Sequence, residues 1–263
     1  ASPACPQSRK RMSLMPIPDR LVVLTFDDGN KSDVTFVAPL LKRYGFSATF
    51  FITEGLEFLN DKRRCMTWEE VRSLHEAGFE IGNHTRSHGD PRKQSKEEFL
   101  AKVEHMERRL EENGIEAPRT FCYPGYFFNR SAVDVLAQKG YLFARRGLKP
   151  EFPAEDGCGR AYEPDEDHPL LIPSTFASGP NATVGDFLGA VKQARDGRIA
   201  VLTFHGVPDG YAWIHTEPAA FETYMRHLHR QRCTVIAMRD LARYVDPGVR
   251  PDDPFGPMER RLT

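Results

Sequence analysis

Two short runs carry side chains that can hold a metal ion or move protons. The apolar run Leu21-Val22-Val23-Leu24-Thr25-Phe26 ends in Asp27-Asp28-Gly29. Adjacent carboxylates at the end of a buried strand are costly unless a cation or a donor receives them. Successive strand side chains face opposite ways, but a turn at this point can bring both carboxylates to one cavity. An Asp-Asp-Gly turn between strand and helix is also common in its own right. The second run, Phe79-Glu80-Ile81-Gly82, leads into Asn83-His84-Thr85-Arg86-Ser87-His88. Histidines at positions 84 and 88 can share one face of a helical turn, and imidazole is a common ligand of zinc and related metals. Two exposed polar histidines are the plain alternative. Two His and one carboxylate with open positions form a familiar hydrolytic or oxidative metal set.

Two further strand ends add candidates. The run Ile199-Ala200-Val201-Leu202-Thr203-Phe204 ends in His205-Gly206, so His205 becomes a candidate acid if it shares a rim with the metal set. Residues 120–123 lead into Pro124-Gly125-Tyr126-Phe127-Phe128. Pro fixes that turn and Gly lets backbone approach a ligand. The aromatic cluster reads equally as a sugar-stacking wall or a core plug. After His205, the loop 207–215 carries Tyr211 and Trp213, which suits a sugar platform or packing against the fold; Asp209 is a candidate to orient His205. His75, His105, His227 and His229 fall on helices and read as surface residues.

What must position these residues is a repeated phrase of helix, Gly or polar break, then short apolar strand. Gly45, Gly78, Gly140 and Gly197 each precede a strand, as expected of glycines capping helix C-termini. Strands are expected at 21–26, 46–52, 79–82, 119–123, 141–144, 198–204 and 233–237. Thr67-Trp68-Glu69-Glu70 and Ser95-Lys96-Glu97-Glu98 read as capping boxes at helix starts. Strands alternating with helices imply a parallel sheet, and seven such units approach a barrel. In a barrel both metal-binding runs sit on one rim. Residues 1–20 read as an arm, 21–245 as the α/β domain and 246–263 as a Pro-rich tail. Residues 147–169, rich in Pro and acids, read as a long loop or insertion.

The balance of 36 basic and 37 acidic residues gives a net charge of -1, with no bulk attraction to nucleic acid. Five cysteines without a CxxC pair argue against a thiolate zinc site and a dense disulfide scaffold. Cys122 and Cys233 read as small buried apolar residues. No run approaches the ~18 apolar residues of a membrane span. The chain begins at Ala1 without Met, which implies a processed or trimmed N-terminus, so a missing signal peptide is uninformative.

These residues resemble the NodB-type polysaccharide deacetylases, carbohydrate esterase family 4, over roughly Leu21 to Ala237. Thr25-Phe26-Asp27-Asp28-Gly29 looks like the family's first motif, His84-Thr85-Arg86-Ser87-His88 like its second, and Phe204-His205-Gly206 like its last. The resemblance implies a single distorted (β/α)7 barrel. It implies a divalent metal, Zn²⁺ before Co²⁺ or Ni²⁺, on Asp28, His84 and His88. Asp27 would be the general base, His205 the general acid, and the Gly125 N–H an oxyanion donor. The substrate would be a GlcNAc-containing polymer or oligosaccharide such as peptidoglycan, chitin or an exopolysaccharide, and the place of action secreted, periplasmic or at the envelope. Two positions depart from the pattern. Cys122 stands where many members have the Arg that pairs with the base, and Gly125 where Tyr is common. The base's partner is thus open. Arg145 and Arg146 are candidates by rim position, or else a solvated basic pair. Two rival readings remain: an amide hydrolase for a small cyclic imide or ureide, and a glycan-binding protein without catalysis.

Overall fold

The computed structural model describes residues 13–153, 156–208 and 214–263. All strands lie in one parallel sheet: β1 (Leu21–Phe26), β2 (Thr49–Ile52), β3 (Glu80–Asn83), β4 (Thr120–Cys122), β5 (Phe143–Arg145), β6 (Phe176–Ala177), β7 (Ala200–Phe204) and β8 (Thr234–Ile236). The path runs β5-β4-β3-β2-β1-β7-β6, with β8 also on β1. The strand β1 is the hub. It pairs with β7 from Val22 to Phe26, while β8 takes its first half on the other side and β2 its last two residues. The sheet curls until β5 meets the segment that feeds β6. A parallel bridge joins Arg145 to Ile172, with Arg146 N–H donating to Ile172 O and Ile172 N–H to Ala144 O, 2.9 Å each. The result is the expected distorted (β/α)7 barrel. The strand not foreseen is β6, too short at two residues to show any alternation.

Alternation along the strands decides what faces the barrel interior. Val22, Leu24 and Phe26 pack outward under helices with Phe50, Ile52, Leu202 and Phe204. Leu21 and Val23 point inward with Phe51, Cys122, Phe143 and Val201. Both faces of β1 are covered, so the strand reads as continuous apolar sequence rather than as alternation. The inward register continues through Thr25 to Asp27 on β1, through Phe143 to Arg145 on β5, and through Val201 and Thr203 to His205 past β7. The inward register thus carries Asp27, Arg145 and His205 to the C-terminal ends of the strands, while Glu80 is held at the opposite end by Thr49 and Thr120.

The helices α1 (Ala38–Tyr44), α2 (Trp68–Glu76), α3 (Lys96–Glu112), α4 (Arg130–Lys139), α5 (Val184–Lys192) and α6 (Pro218–Arg230) join successive strands. Gly45 and Gly140 close α1 and α4 at φ 69 and φ 80, the left-handed cap that costs glycine least. Both expected capping boxes form. At α3 the Ser95 hydroxyl accepts from Glu98 N–H at 3.1 Å, and Glu98 accepts from Ser95 N–H at 2.8 Å. Ser95→Ala is expected to cost about 1 kcal/mol, read as a lower urea midpoint with an unchanged slope. An unchanged midpoint would mean the cap is not formed in solution.

Within 246–263, Gly256–Leu262 forms helix α7; Met258 is buried, and Arg261 Nη1 donates to Asp167 Oδ1 at 2.9 Å. Of the histidines expected at the surface, His105 is partly buried and bonds Glu54 Oε2 at 2.6 Å. No helix among the described residues is long and apolar enough to cross a membrane.

Candidate metal centre

At the end of β1 the chain must turn two neighbouring carboxylates to one side. Asp27 keeps the inward register, its N–H bonded to Phe204 O at 3.0 Å. Asp28 and Gly29 then both take left-handed backbone, φ 78 and φ 73. Aspartate tolerates that conformation better than most residues, and two such residues in succession reverse the chain. Asn30 Nδ2 donates to Asp27 O at 2.9 Å and fixes the turn. Asp28 thereby faces the cavity beside Asp27.

His84 follows Gly82 in the inward register of β3. Its Nδ1 lies 2.8 Å from Cys122 O. A carbonyl can only accept, so Nδ1 carries the proton and Nε2 presents its lone pair to the cavity. His88 arrives differently from expectation. Residues 84–88 are not a helical turn: Thr85 and His88 have φ 62 and φ 51, and Thr85 N–H donates to Asn83 Oδ1 at 2.9 Å. That side-chain bond captures an N–H a helix would have used. The two imidazoles meet edge to face, centroids 4.7 Å apart at 74°.

His84 Nε2 and His88 Nε2 lie 3.3 and 3.4 Å from Asp28 Oδ1. That oxygen is buried and has no hydrogen-bond partner among the described residues, so the approach is close without being a hydrogen bond. A tetrahedral zinc with bonds near 2.0–2.1 Å holds its ligand atoms roughly 3.3 Å apart. The donor set therefore fits a divalent cation. Its electrostatics fit as well. Burial, then the neighbouring His84, push His88 down to about 4, leaving a neutral ligand. Burial works against charge on His84 too, yet the Cys122 sulfur and the Asp28 and Asp27 carboxylates raise it well above the ordinary value, so a cation binding there competes with a proton for His84 Nε2. Asp28 is held below the usual range: burial opposes this, but His84, His205 and His88 outweigh it. The cavity is one that draws positive charge.

Asp27 is 1% exposed, and its partner comes from β5. Arg145 Nη2 lies 2.5 and 2.6 Å from the two Asp27 carboxylate oxygens. Burial pushes the Asp27 carboxyl up, but the Arg145 guanidinium, with help from His205 and His84, brings it below the ordinary value. The same Nη2 is 2.8 Å from Cys122 Sγ, and Nη1 donates to Ser174 Oγ at 3.1 Å. Ser174 in turn donates to Arg146 O and meets Thr203 Oγ1 at 2.9 Å. Cys122 is therefore buried as expected but polar in its contacts. The reading of Arg145 and Arg146 as a solvated pair is corrected, since both are fully buried. Alternation sends them to opposite faces, and Arg146 instead binds Leu171 O, Lys149 O and Glu151. Ser174 and Thr203, which position Arg145, carry no motif that could have revealed them.

His205 closes the site from β7, with Nε2 3.7 Å from Asp27 Oδ2 and Nδ1 buried without a hydrogen-bond partner among the described residues. Asp209, Tyr211 and Trp213 lie outside the described residues. Pro124–Tyr126 form a short 3-10 turn in which Gly125 and Tyr126 have φ 58 and φ 62. The Tyr126 ring stands 5.5 Å from the Arg145 guanidinium carbon and 6.2 Å from the His205 ring. It lies flat on Gly147, where an added Cβ would come within 2.6 Å of the ring.

A family model described as polysaccharide deacetylase matches residues 15–144, which include both candidate metal-binding runs but stop one residue before Arg145. The chain is similar to the peptidoglycan-N-acetylglucosamine deacetylase of Bacillus cereus, 28% identical over 130 residues, covering 48% of this chain and 56% of that protein. The chain spans about half, or less, of the length of the curated relatives it matches. Among solved structures, it shares its fold with the family 4 esterase domain of a multidomain xylanase from the hindgut metagenome of Trinervitermes trinervoides. That likeness has TM-score 0.60 at 19% identity, over 89% of this chain and 95% of the other. A family 4 acetyl xylan esterase from Clostridium thermocellum, solved with a cobalt ion, has TM-score 0.56 at 20% identity, over 87% and 95%.

Proposed function

We propose that this chain, which matches the polysaccharide deacetylase family model over residues 15–144, hydrolyses the N-acetyl groups of a GlcNAc-containing polysaccharide, using a divalent metal held by Asp28, His84 and His88. The observation that carries this reading is the buried, unpartnered Asp28 Oδ1 facing two imidazole Nε2 atoms at tetrahedral ligand spacing. A divalent cation bound there supplies Lewis acidity, polarising the amide carbonyl and acidifying water. Zinc suits the two-His, one-carboxylate set best.

The chain's own groups do the rest. Asp27, ionised beside Arg145, takes a proton from the attacking water. His205, across the cavity, gives a proton to the departing amine nitrogen. Acetate and a free amino sugar result, with no net proton held by either residue after reset. A base and an acid so placed each contribute roughly 10²–10⁴-fold. The Gly125 N–H, on a turn that needs its left-handed backbone, is the proposed donor to the carbonyl oxygen, with Pro124 and Tyr126 shaping that wall. Polymers of this kind lie outside the cytoplasm, so an envelope or secreted place of action goes with the proposal.

The test is acetate release from N-acetylated oligosaccharides of peptidoglycan and chitin type. Activity is expected with zinc, lost in chelator and restored by added Zn²⁺, Co²⁺ or Ni²⁺. No metal-dependent release across that panel would overturn the reading.

A further inference from the structure

Tyr126, whose ring stands near Arg145 and His205, also lines a cavity of about 550 Å³ that the proposed chemistry does not use. Its walls are Phe127, Phe128, Phe152 and Met258, and its rim holds Arg92 and Lys149. Four separate parts of the chain build it: the short turn Pro91–Lys93, the turn after β4, the stretch after Arg146, and α7. Buried charge fixes these walls in place. Arg146 is fully buried, and its guanidinium binds Lys149 O at 2.6 Å, Leu171 O at 3.1 Å and Glu151 Oε1 at 2.7 Å. Asp167, also buried, takes Arg160 at 2.7 Å and Arg261 of α7 at 2.9 Å. A wall held this way is formed before any ligand arrives, as expected of a small-molecule site of this volume.

The lining chemistry selects the occupant. Aromatic, proline and Met surface dominates, and no carboxylate among the described residues lines the cavity. A sugar ring would find few partners for its hydroxyls here. Arg92 lies flat on Phe127, its guanidinium carbon 3.7 Å from the ring centroid, with Asp90 gripping it at 2.8 Å. Lys149 makes no ion pair among the described residues and is exposed at the rim. Apolar walls under one ammonium unpaired among the described residues, Lys149, with Arg92 already held by Asp90, match an aromatic or aliphatic group that carries a negative charge. Tyr126 joins this cavity to the reaction: it lines both the large cavity and a smaller one, of about 240 Å³, that contains His205.

We infer that this cavity is a substrate subsite, and that the natural substrate carries an apolar, anionic group close to the scissile amide. The inference rests on the deacetylase reading for its link to turnover, but the cavity's own ligand chemistry does not. Two measurements separate the two. The first is kcat/KM for the para-carboxyphenyl and para-carbamoylphenyl glycosides of N-acetylglucosamine. Wild-type protein is expected to favour the carboxylate by about tenfold, the size of one charge-assisted contact, and Lys149→Glu to abolish that preference. The second is fluorescence titration with anilinonaphthalene sulfonate, an aromatic anion, against the neutral phenylnaphthylamine. Lys149→Glu is expected to weaken the anion by about tenfold and spare the neutral probe. Turnover of neither glycoside nor any N-acetylated oligosaccharide, with the charge-selective binding intact, overturns the deacetylase reading and leaves an anion-selective site standing. Equal treatment of the two glycosides, or probe binding indifferent to Lys149→Glu, overturns the subsite.

Discussion

Asp27→Asn will keep its metal and lose turnover by about 10²–10⁴-fold, the share a positioned general base supplies. The amide has the size of the carboxylate and can still accept from Arg145, but it cannot take a proton from water. His84→Ala, by contrast, will lose metal and turnover together, because it removes one of three donors that converge on one point. The measurements are metal content after dialysis and acetate release per bound metal. The contrast matters because two groupings of donors lie within 4.8 Å here: Asp28, His84 and His88, and Asp27, His84 and Cys122. If the second set held the ion, Asp27→Asn would shed metal and Cys122→Ser would weaken its binding. The geometry favours the first. In the second, Asp27 and Cys122 are already engaged by Arg145 Nη2 at 2.5 to 2.8 Å, and a cation placed among them would face that guanidinium. Full activity in Asp27→Asn would place the base elsewhere.

How much of this was legible in the sequence follows from how locally each feature is determined. The barrel could be read because each unit announces itself: apolar strands, hydroxyl caps at Thr67 and Ser95, and glycines that end helices. The candidate metal ligands were legible because their side chains are unusual for strand ends. Their geometry was not. The spacing of His84 and His88 suggested a helical turn, and what set the turn was Asn83, whose side chain takes the Thr85 N–H. The partner of Asp27 was named only as one of two adjacent arginines. The choice between them depends on the register of β5, since Phe143 faces the interior and Arg145 is two residues further on. Strand pairing across distant parts of the chain sets that register, so it is invisible in a local pattern. The same is true of Ser174, which reaches Arg145 only because the sheet curls. Of the cavity walls, the aromatic cluster Tyr126-Phe127-Phe128 is visible as a local pattern, while Phe152 and Met258 meet it only through the tertiary fold.

The guanidinium that pairs with Asp27 comes from Arg145 on β5, with Cys122 facing it, and this placement carries the second large expectation. Arg145→Ala leaves Asp27 buried with its main counter-charge gone, and losing one partner of a buried pair typically costs about 3–5 kcal/mol. The pH dependence changes sign with it. In the wild type, the Asp27 carboxyl is held below its ordinary value. Its contribution to stability is therefore fully present above the unfolded-state value and lost as pH falls through the folded one. Without Arg145, burial, the largest influence on that carboxyl, acts with much less opposition and raises it. The contribution then reverses: it favours the fold in acid and is lost as pH rises through the raised folded value. Urea unfolding at pH 5 and pH 7.5 reads this directly, and the variant is expected to lose most at the higher pH. Because the base works only when ionised, the acid limb of kcat/KM moves to higher pH as well. Cys122 offers the control. Its Sγ is 2.8 Å from the Arg145 Nη2 and 3.5 Å from Asp27 Oδ2, so the position faces the pair from the neighbouring strand. Adding Cys122→Arg to Arg145→Ala restores a guanidinium to that space, and is expected to return the acid limb toward its original pH. A structural role for Arg145 alone predicts recovered stability with no movement of that limb; an unshifted limb in Arg145→Ala would show that Asp27 is not the base.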